Sequence, residues 1–233
     1  MRCGMASNTA IYVINLADRK DRQRQMEYQL SQVGWRGEFF PAVRPKDAGN
    51  FQSIGVRGCF LSHLEVLKSA KRTGAERLII IEDDLDFVRD FKHCWHMAMD
   101  ALENKRWSIF YPGHCIKDFS PGLSLLPHDQ SVLCAHFVMF NSEALSTVIE
   151  GLETIKSRPR GHPAGGPMPV DGAYSIVRKT NPDLKTYLFS PSLGYQRASR
   201  SDIADVNWFD RVEAWRAPLE LARALKRGLR RMR

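Results

Sequence analysis

The sequence predicts an α/β fold in which helices flank a mostly parallel sheet. Two segments carry this prediction: Ala10–Leu16 and Leu78–Ile81 are almost continuously apolar, as strands buried on both faces of a parallel sheet are. Each is followed by a segment with apolar residues at helical spacing, and alternating strands and helices are typical of this class. A chain of 233 residues that is 43% hydrophobic is long and apolar enough for a substantial core.

The first predicted helix directly follows the first strand. Asp18 is a suitable N-cap and Gly34 a suitable C-cap. The first turn contains Arg19 and Arg22, which the positive end of the helix dipole disfavours. We therefore expect an anion there, such as a phosphate held by amide and guanidinium groups. The alternative is that these arginines are solvated or paired with Asp18 and Asp21.

The next segment, Phe39–Ser53, is rich in turn-forming residues and predicts an irregular connector. A helix is expected over 60–74, because its apolar residues recur at helical spacing and a glycine ends it. Gly55 and Gly58 before this helix would let the backbone approach a ligand closely. His63 lies one turn into the helix, where a histidine is more often structural than catalytic.

Three consecutive carboxylates, Glu82, Asp83 and Asp84, follow the strand Leu78–Ile81. They would emerge at the carboxyl end of the strand, where open α/β sheets bind ligands. Because adjacent carboxylates repel one another, a divalent cation would stabilise the cluster. Oxygen ligands suit Mg²⁺ or Mn²⁺, which commonly hold a substrate diphosphate. The alternative is a solvated acidic loop.

The second half of the chain continues the alternation of strands and helices. His136 lies in one of the predicted strands, either as a metal ligand or, as is commoner, with its ring facing the core. The predicted elements are a helix over 91–102, strands over 107–111 and 133–140, a loop over 120–130 and a helix from Ser142 to about Glu150.

The segment Ser157–Pro169 is rich in proline and glycine, which is typical of an active-site lid. Asp171 follows it and is a candidate general base; the alternative is that it only caps a short helix over Ala173–Val177. Lys185–Ser190 is expected to be the last strand. The segment after it is rich in hydrogen-bond donors and contains Gln196 and Asp202.

The net charge indicates the kind of partner to expect, and the cysteine content indicates the cellular compartment. The net charge of +8 and pI of about 9.4 predict an acidic partner. Residues 218–233 carry +5 of this +8. Their pattern predicts a basic amphipathic helix suited to an anionic membrane surface, or else a solvated tail. Because the rest of the chain is only mildly basic, no nucleic-acid partner is expected. The five cysteines are scattered, which indicates reduced cytosolic thiols.

We expect three segments along the chain. Residues 1–9 have no pattern and are expected to be disordered or to precede the true start. Residues 10–217 would form a single catalytic domain, followed by the basic helix over 218–233. The short apolar stretch near the amino terminus reads as neither a signal peptide nor a membrane span.

Four short motifs follow one another in the sequence: Asn-Leu-x-x-Arg-x-x-Arg at 15–22, Gly-Cys-x-x-Ser-His at 58–63, Ile-Glu-Asp-Asp at 81–84 and Pro-Val-Asp-Gly at 169–172. Their order resembles glycosyltransferase family 25, which includes bacterial lipooligosaccharide galactosyltransferases and collagen galactosyltransferases. The resemblance runs from about Ala10 to Ile203. It departs from the family pattern just before Gly58, where many members carry an acidic residue and this chain has Val56 and Arg57.

The resemblance implies a GT-A-like, Rossmann-type sheet and an inverting transfer of a hexose from a UDP-sugar. The default hexose is galactose, and the acceptor would be a hydroxyl of a saccharide or lipid-linked saccharide. The product would belong to lipopolysaccharide, lipooligosaccharide or another surface polysaccharide. From the scattered cysteines and the basic helix we expect the protein in the cytoplasm, either in solution or at the inner face of the cytoplasmic membrane.

Roles for individual residues follow from the motifs and the resemblance as hypotheses. Mn²⁺ or Mg²⁺ would be held by Glu82, Asp84 and His136. The nucleotide sugar would be bound by Asn15, Arg19, Arg22, Asp83 and Gln196. Asp171 is the first candidate for the base and Asp202 the second, while His63 would position donor or acceptor.

Two other classes of protein fit part of the pattern. A metal-dependent phosphohydrolase or receiver-like domain also places an acidic cluster after a buried strand. A non-catalytic carbohydrate-binding or nucleic-acid-binding protein would use the basic residues, although these lack the interleaved aromatic residues of a nucleic-acid surface.

Overall fold

A computed structural model describes residues 8–116 and 119–197 of the chain. Asp202 and the predicted basic helix over 218–233 lie outside these residues, as do residues 1–7. The domain bounds predicted from the sequence therefore stay predictions.

The fold is built on a seven-stranded sheet in the order β2-β1-β3-β7-β5-β8-β6. Five strands run in one direction, and β6 and β7 run against their neighbours. The strands of this sheet are β1 (Thr9–Asn15), β2 (Glu38–Pro41), β3 (Arg77–Glu82), β5 (Ile109–Gly113), β6 (Gly122–Leu126), β7 (Phe137–Asn141) and β8 (Thr186–Ser190); β4 (Leu85–Phe87) and β9 (Gly194–Gln196) form a separate antiparallel pair.

Helices cover both faces of the sheet. One core contains apolar residues of α2, α4 and α5, and the other contains those of α1 and α3. Each helix within 8–116 and 119–197 is too short or too polar to cross a lipid bilayer. The helices are α1 (Lys20–Val33), α2 (Ile54–Thr73), α3 (Phe91–Glu103), α4 (Ser142–Ser157) and α5 (Val170–Thr180).

The strand β3 lies between β1 and β7 and is buried on both faces. Leu78 and Ile80 belong to the core beneath α2, whereas Ile79 and Ile81 belong to the core beneath α1. This alternation is the two-residue period of a strand. The predicted α/β class, with a mostly parallel, GT-A-like sheet flanked by helices, is confirmed.

Several predicted boundaries are wrong. The helix α2 begins at Ile54, six residues before the predicted start, because Ser53 caps it by accepting a hydrogen bond from the Val56 amide. The segments over 39–53 and 120–130 were predicted to be irregular, but the first contributes to β2 and the second contains β6. The strands β2 and β6 lie at the two edges of the sheet and are paired on one side only. Edge strands do not require a continuous apolar pattern.

Three smaller corrections concern helix ends. Arg19 rather than Asp18 is the N-cap of α1, whereas Gly34 ends the helix in the left-handed conformation as predicted. The helix α4 runs to Ser157, seven residues beyond its predicted end. The helix α5 covers 170–180 and so includes Asp171 in its first turn.

Candidate active site

A cavity of about 460 Å³ lies at the carboxyl end of β1 and β3, beside the first half of α2. Open α/β sheets bind ligands at this edge. The connector after β2 supplies an apolar part of the wall, with Ala42 and Val43. The ionisable part of its lining includes Arg22, Arg44, His63, Glu82, Asp83 and Asp84.

Asp83 belongs to a buried ion pair with Arg22. Its Oδ1 accepts a hydrogen bond of 2.7 Å from Arg22 Nη1, and its Oδ2 accepts one of 2.7 Å from Asn15 Nδ2. All three residues are at least nine-tenths buried. One of the three carboxylates is therefore neutralised by an arginine and does not need a metal cation for this. Asn15 and Arg22 both bind Asp83, and Arg22 and Asp83 also line the cavity. The donor contacts predicted for these three residues stay predictions.

Glu82 ends β3 and faces α2. Its Oε1 lies 3.3 Å from His63 Nε2 and 3.7 Å from Cys59 Sγ, and its Oε2 accepts a hydrogen bond of 2.9 Å from Gln196 Nε2. Burial alone would raise the pKa of Glu82, but the hydrogen bond from His63, with further help from Gln196, lowers this pKa below its usual value. Glu82 is therefore a carboxylate whose position is fixed from two sides.

Tyr174 of α5 fixes the orientation of His63. Its hydroxyl lies 3.1 Å from His63 Nδ1, and both side chains are fully buried. Burial raises the pKa of Tyr174 well above its usual value, so the hydroxyl keeps its proton and can donate it to Nδ1. A neutral imidazole satisfies both of its contacts only with its proton on Nε2, which then donates to Glu82. The sequence analysis missed Tyr174 because 111 residues separate it from His63.

We expect Tyr174→Phe to lower the free energy of unfolding by about 1–3 kcal/mol, because it leaves the buried His63 Nδ1 without a donor. Tyr111→Phe is the matched control. The Tyr111 hydroxyl is also buried and has no hydrogen-bond partner in the described part of the chain, so its loss should be nearly neutral. Urea denaturation of both variants gives the two values, and equal losses would show that the Tyr174–His63 hydrogen bond is unimportant.

Asp84 lies in the cavity wall with one oxygen unsatisfied. Its Oδ1 is buried and has no hydrogen-bond partner among residues 8–116 and 119–197. Burial, reinforced by the negative charge of Glu82, raises the pKa of Asp84 to about 7. A buried oxygen without a donor, next to a second carboxylate, is an arrangement that a divalent cation would stabilise. Glu82 and Asp84 therefore fit a hard cation.

The Gly-Cys-x-x-Ser-His motif on α2 divides into two pairs at helical spacing. Gly58 and Ser62 face the connector: Ser62 Oγ accepts a hydrogen bond of 2.8 Å from the Val43 amide and donates to the Gly58 carbonyl. A Cβ atom at Gly58 would lie 2.7 Å from the Val43 carbonyl oxygen, so only glycine allows this close packing. Cys59 and His63 instead face Glu82.

The phosphate contact predicted for Arg19 stays a prediction. Arg19 makes a bidentate ion pair with Asp21 and is absent from the cavity lining found within the described residues. Arg44, which the sequence analysis did not single out, lines the cavity and pairs with the exposed Asp18. Arg44 is therefore a better placed cation for a phosphate than Arg19.

His136 and Asp171 lie near the site without lining this cavity within the described residues. His136 immediately precedes β7, and its Nε2 lies 3.2 Å from the Gly194 carbonyl oxygen. Burial lowers the pKa of His136, and its metal role stays a prediction. The carboxylate of Asp171 accepts hydrogen bonds from the Cys134 and Gly172 amides; its role as base also stays a prediction.

The fold and the cavity define a Rossmann-type α/β protein whose candidate site, lined by both charged and apolar residues, lies at the carboxyl end of its central strands. The chain belongs to glycosyltransferase family 25: the family model, described as glycosyltransferase family 25 (LPS biosynthesis protein), matches residues 8–133. The resemblance inferred from the motifs is thereby confirmed, and membership supports a glycosyltransferase rather than a phosphohydrolase.

Curated relatives include an enzyme and an inactive protein. Procollagen galactosyltransferase 2 of Mus musculus is 26% identical over 220 residues, which cover 79% of this chain and 34% of that protein. The inactive glycosyltransferase 25 family member 3 of Homo sapiens is 25% identical over 126 residues, which cover 44% of this chain and 21% of that protein. This chain thus spans about a third of the galactosyltransferase at most.

Among solved structures, a Drosophila beta-1,4-galactosyltransferase 7 in complex with manganese, UDP-Gal and xylobiose is similar to this chain with a TM-score of 0.44. It is 10% identical, and the match covers 86% of this chain and 77% of that one.

Proposed function

We propose that this chain is an inverting hexosyltransferase that uses a UDP-sugar, with UDP-galactose as the first donor to test, and a divalent cation. The acceptor would be a saccharide hydroxyl in the synthesis of lipopolysaccharide, lipooligosaccharide or another surface polysaccharide. The observation that carries the proposal is the unsatisfied, buried Asp84 oxygen beside Glu82 in a cavity that also contains basic side chains.

Asp84 and Glu82 would hold Mn²⁺ or Mg²⁺, which when bound neutralises the charge that develops on a leaving diphosphate. Gln196 and His63 hold the Glu82 carboxylate in place, which preserves its orientation when a ligand enters. Arg44 lies where its guanidinium could bind a phosphate oxygen. The buried Arg22–Asp83 pair keeps the loop after β3 in a fixed position relative to α1.

Asp171 is our candidate for the base that deprotonates the acceptor hydroxyl. Its side chain follows the proline-rich loop and is held by the Cys134 amide at 3.1 Å. In a family that includes an inactive relative, membership alone does not establish catalysis, so the base requires its own test.

We expect Asp171→Asn to lower kcat by about 10²–10⁴-fold and to leave the dissociation constant of the donor unchanged. The asparagine oxygen can still accept from the Cys134 amide, so the fold should persist. Steady-state kinetics and donor titration give both values. Asp183→Asn is the control, because Asp183 is exposed and lies beyond the end of α5. Wild-type turnover in Asp171→Asn would show that Asp171 is not the base.

A donor screen tests the proposed function. Melting temperatures are measured with UDP-galactose, UDP-glucose and other nucleotide sugars, each with and without Mn²⁺, because a ligand that binds only the folded state raises the melting temperature. Donors that bind are then incubated with saccharide acceptors and the products are identified. A shift that requires both UDP-sugar and Mn²⁺, followed by transfer, supports the proposal. Phosphate-ester hydrolysis, or sugar binding without transfer, would replace it with one of the other two classes.

Action at the cytoplasmic face of a membrane is a further part of the proposal. It rests on the basic, apolar-striped sequence of residues 218–233, which lie outside the described structure. Binding to vesicles of anionic phospholipid, compared between the full chain and a chain that ends at residue 217, measures this contribution directly.

A further inference from the structure

Three side chains of different chemistry converge in the cavity wall. Cys59 and His63 are four residues apart on α2 and therefore share one face of the helix. Glu82 approaches that face from the end of β3. Cys59 Sγ, His63 Nε2 and a Glu82 oxygen all lie within 4.8 Å of one another. Thiolate, imidazole and carboxylate are the three ligand types that zinc uses in proteins.

Two of the three separations between these atoms match the edges of a tetrahedral zinc site, and the third, between Cys59 and His63, is at most 4.8 Å. Zinc bonds of about 2.3 Å to sulfur and about 2.0–2.2 Å to nitrogen and oxygen imply ligand–ligand edges of about 3.3 Å for N–O and about 3.6 Å for S–O. The observed distances are 3.3 Å from His63 Nε2 to Glu82 Oε1 and 3.7 Å from Cys59 Sγ to the same oxygen. The Glu82 oxygen therefore already lies at ligand–ligand separations that suit zinc from both of the other side chains.

Outer contacts orient two of the three ligands. The Tyr174 hydroxyl holds His63 Nδ1, and the Gln196 amide holds Glu82 Oε2. Such contacts fix the ligands of known metal sites and raise their affinity. All three ligands also line the cavity, so a fourth coordination position would open toward a ligand or water.

We propose that Cys59, His63 and Glu82 form a binding site for a zinc-like divalent cation, distinct from the hard-cation site at Glu82 and Asp84. On binding, the Cys59 thiol would lose its proton to solvent and form the metal–sulfur bond. The His63 proton would be carried on Nδ1 instead of Nε2, and Nδ1–H would donate a hydrogen bond to the Tyr174 hydroxyl oxygen. One thiolate, one carboxylate and a divalent cation sum to zero charge, which suits a buried site.

The two cation sites share Glu82, so a zinc-like ion would compete with Mn²⁺ or Mg²⁺. This consequence rests on the proposed function, whereas binding itself does not. We expect Zn²⁺ to inhibit sugar transfer in wild-type protein and excess Mn²⁺ to relieve the inhibition only weakly, because thiolate and imidazole ligands favour Zn²⁺ over Mn²⁺.

Cobalt titration of the reduced, metal-free chain tests the site without any activity assay. Co²⁺ substitutes for Zn²⁺, and a thiolate bound to Co²⁺ gives a near-ultraviolet charge-transfer absorption. We expect one Co²⁺ per chain with this band, release of one thiol proton, and loss of the band when Zn²⁺ is added. Absence of a thiolate band at saturating Co²⁺ in wild-type protein would overturn the proposal.

Variants locate the site. Cys59→Ser should abolish the band and weaken Co²⁺ binding by about 100-fold or more, since even outer-contact changes weaken metal sites by about 10–100-fold. Cys134→Ser and Asp84→Asn should both retain the band. Retention of the band in Cys59→Ser, or its loss in Cys134→Ser, would place the metal at another thiol and reject this site. A normal cobalt spectrum in a chain without transferase activity would reject the proposed function and leave this inference standing.

Discussion

Asp84→Asn is expected to lower the rate of sugar transfer by about a thousandfold. Removal of a carboxylate that holds the cation takes away several kcal/mol of charge stabilisation in the transition state, and about 4 kcal/mol corresponds to a thousandfold change in rate. The Asp84 oxygen is available for this role because it is buried and has no hydrogen-bond partner in 8–116 and 119–197. Steady-state transfer at saturating donor and Mn²⁺ gives the measurement.

The same variant should be folded, and in the absence of metal it should be more stable than wild type at neutral pH. The pKa of Asp84 is raised by burial to about 7 in the folded chain, from 3.8 when unperturbed. The folded state therefore holds a proton that the unfolded state loses between about pH 4 and 7, and wild-type stability falls as the pH rises through this window. The variant does not undergo this loss of folding free energy, which is on the order of a few kcal/mol in the wild type.

Asp90→Asn is the control for the activity measurement, since Asp90 is exposed and makes no capping hydrogen bond to α3 through its side chain. If the Asp84→Asn variant transfers sugar at the wild-type rate, the cation is not held by the carboxylates at the end of β3.

Arg22→Met is expected to lower the free energy of unfolding by about 3–5 kcal/mol, because removal of one partner leaves a buried charge without compensation. The Asp83 carboxylate would keep only the hydrogen bond from Asn15 in a site that is 6% exposed. Chemical denaturation with coincident spectroscopic probes gives the free energy.

Arg19→Met is the matched control from the start of the same helix. Its ion pair with Asp21 is partly exposed, so we expect a loss of about 1 kcal/mol or less. Addition of Asp83→Asn to Arg22→Met should recover part of the stability, since it removes the uncompensated charge. Equal losses in the two arginine variants would mean that the Arg22–Asp83 pair contributes no more than a surface pair.

The central strand and the position of the site could be predicted from the sequence because both depend on local pattern. Four aliphatic residues followed by carboxylates define β3 and its carboxyl end, whatever packs around them. The two-residue period of the strand also contains a signal that was not used. Glu82 continues the face of Leu78 and Ile80 toward α2, whereas Asp83, the next residue, points to the opposite face toward α1. This alternation explains why Asp83 binds Arg22 and Glu82 binds His63.

The contacts that complete the site could not be predicted, because they depend on how distant segments pack. Tyr174 reaches His63 from α5, and Gln196 reaches Glu82 from β9, a three-residue strand too short to show a pattern. The charges of Arg19 and Arg22 were recognised correctly as unusual at a helix start. The pair of Arg19 with Asp21 is the alternative that the sequence analysis named, whereas the partner of Arg22 is Asp83, 61 residues away.

The most direct test of the proposed function is a crystal structure of the chain with UDP and Mn²⁺, in which anomalous scattering locates the manganese. We predict one manganese peak in the cavity, within bonding distance of the Asp84 carboxylate, with the diphosphate on the same ion. A bound UDP with no manganese at Asp84, or a manganese ion held by residues elsewhere in the chain, would contradict this prediction.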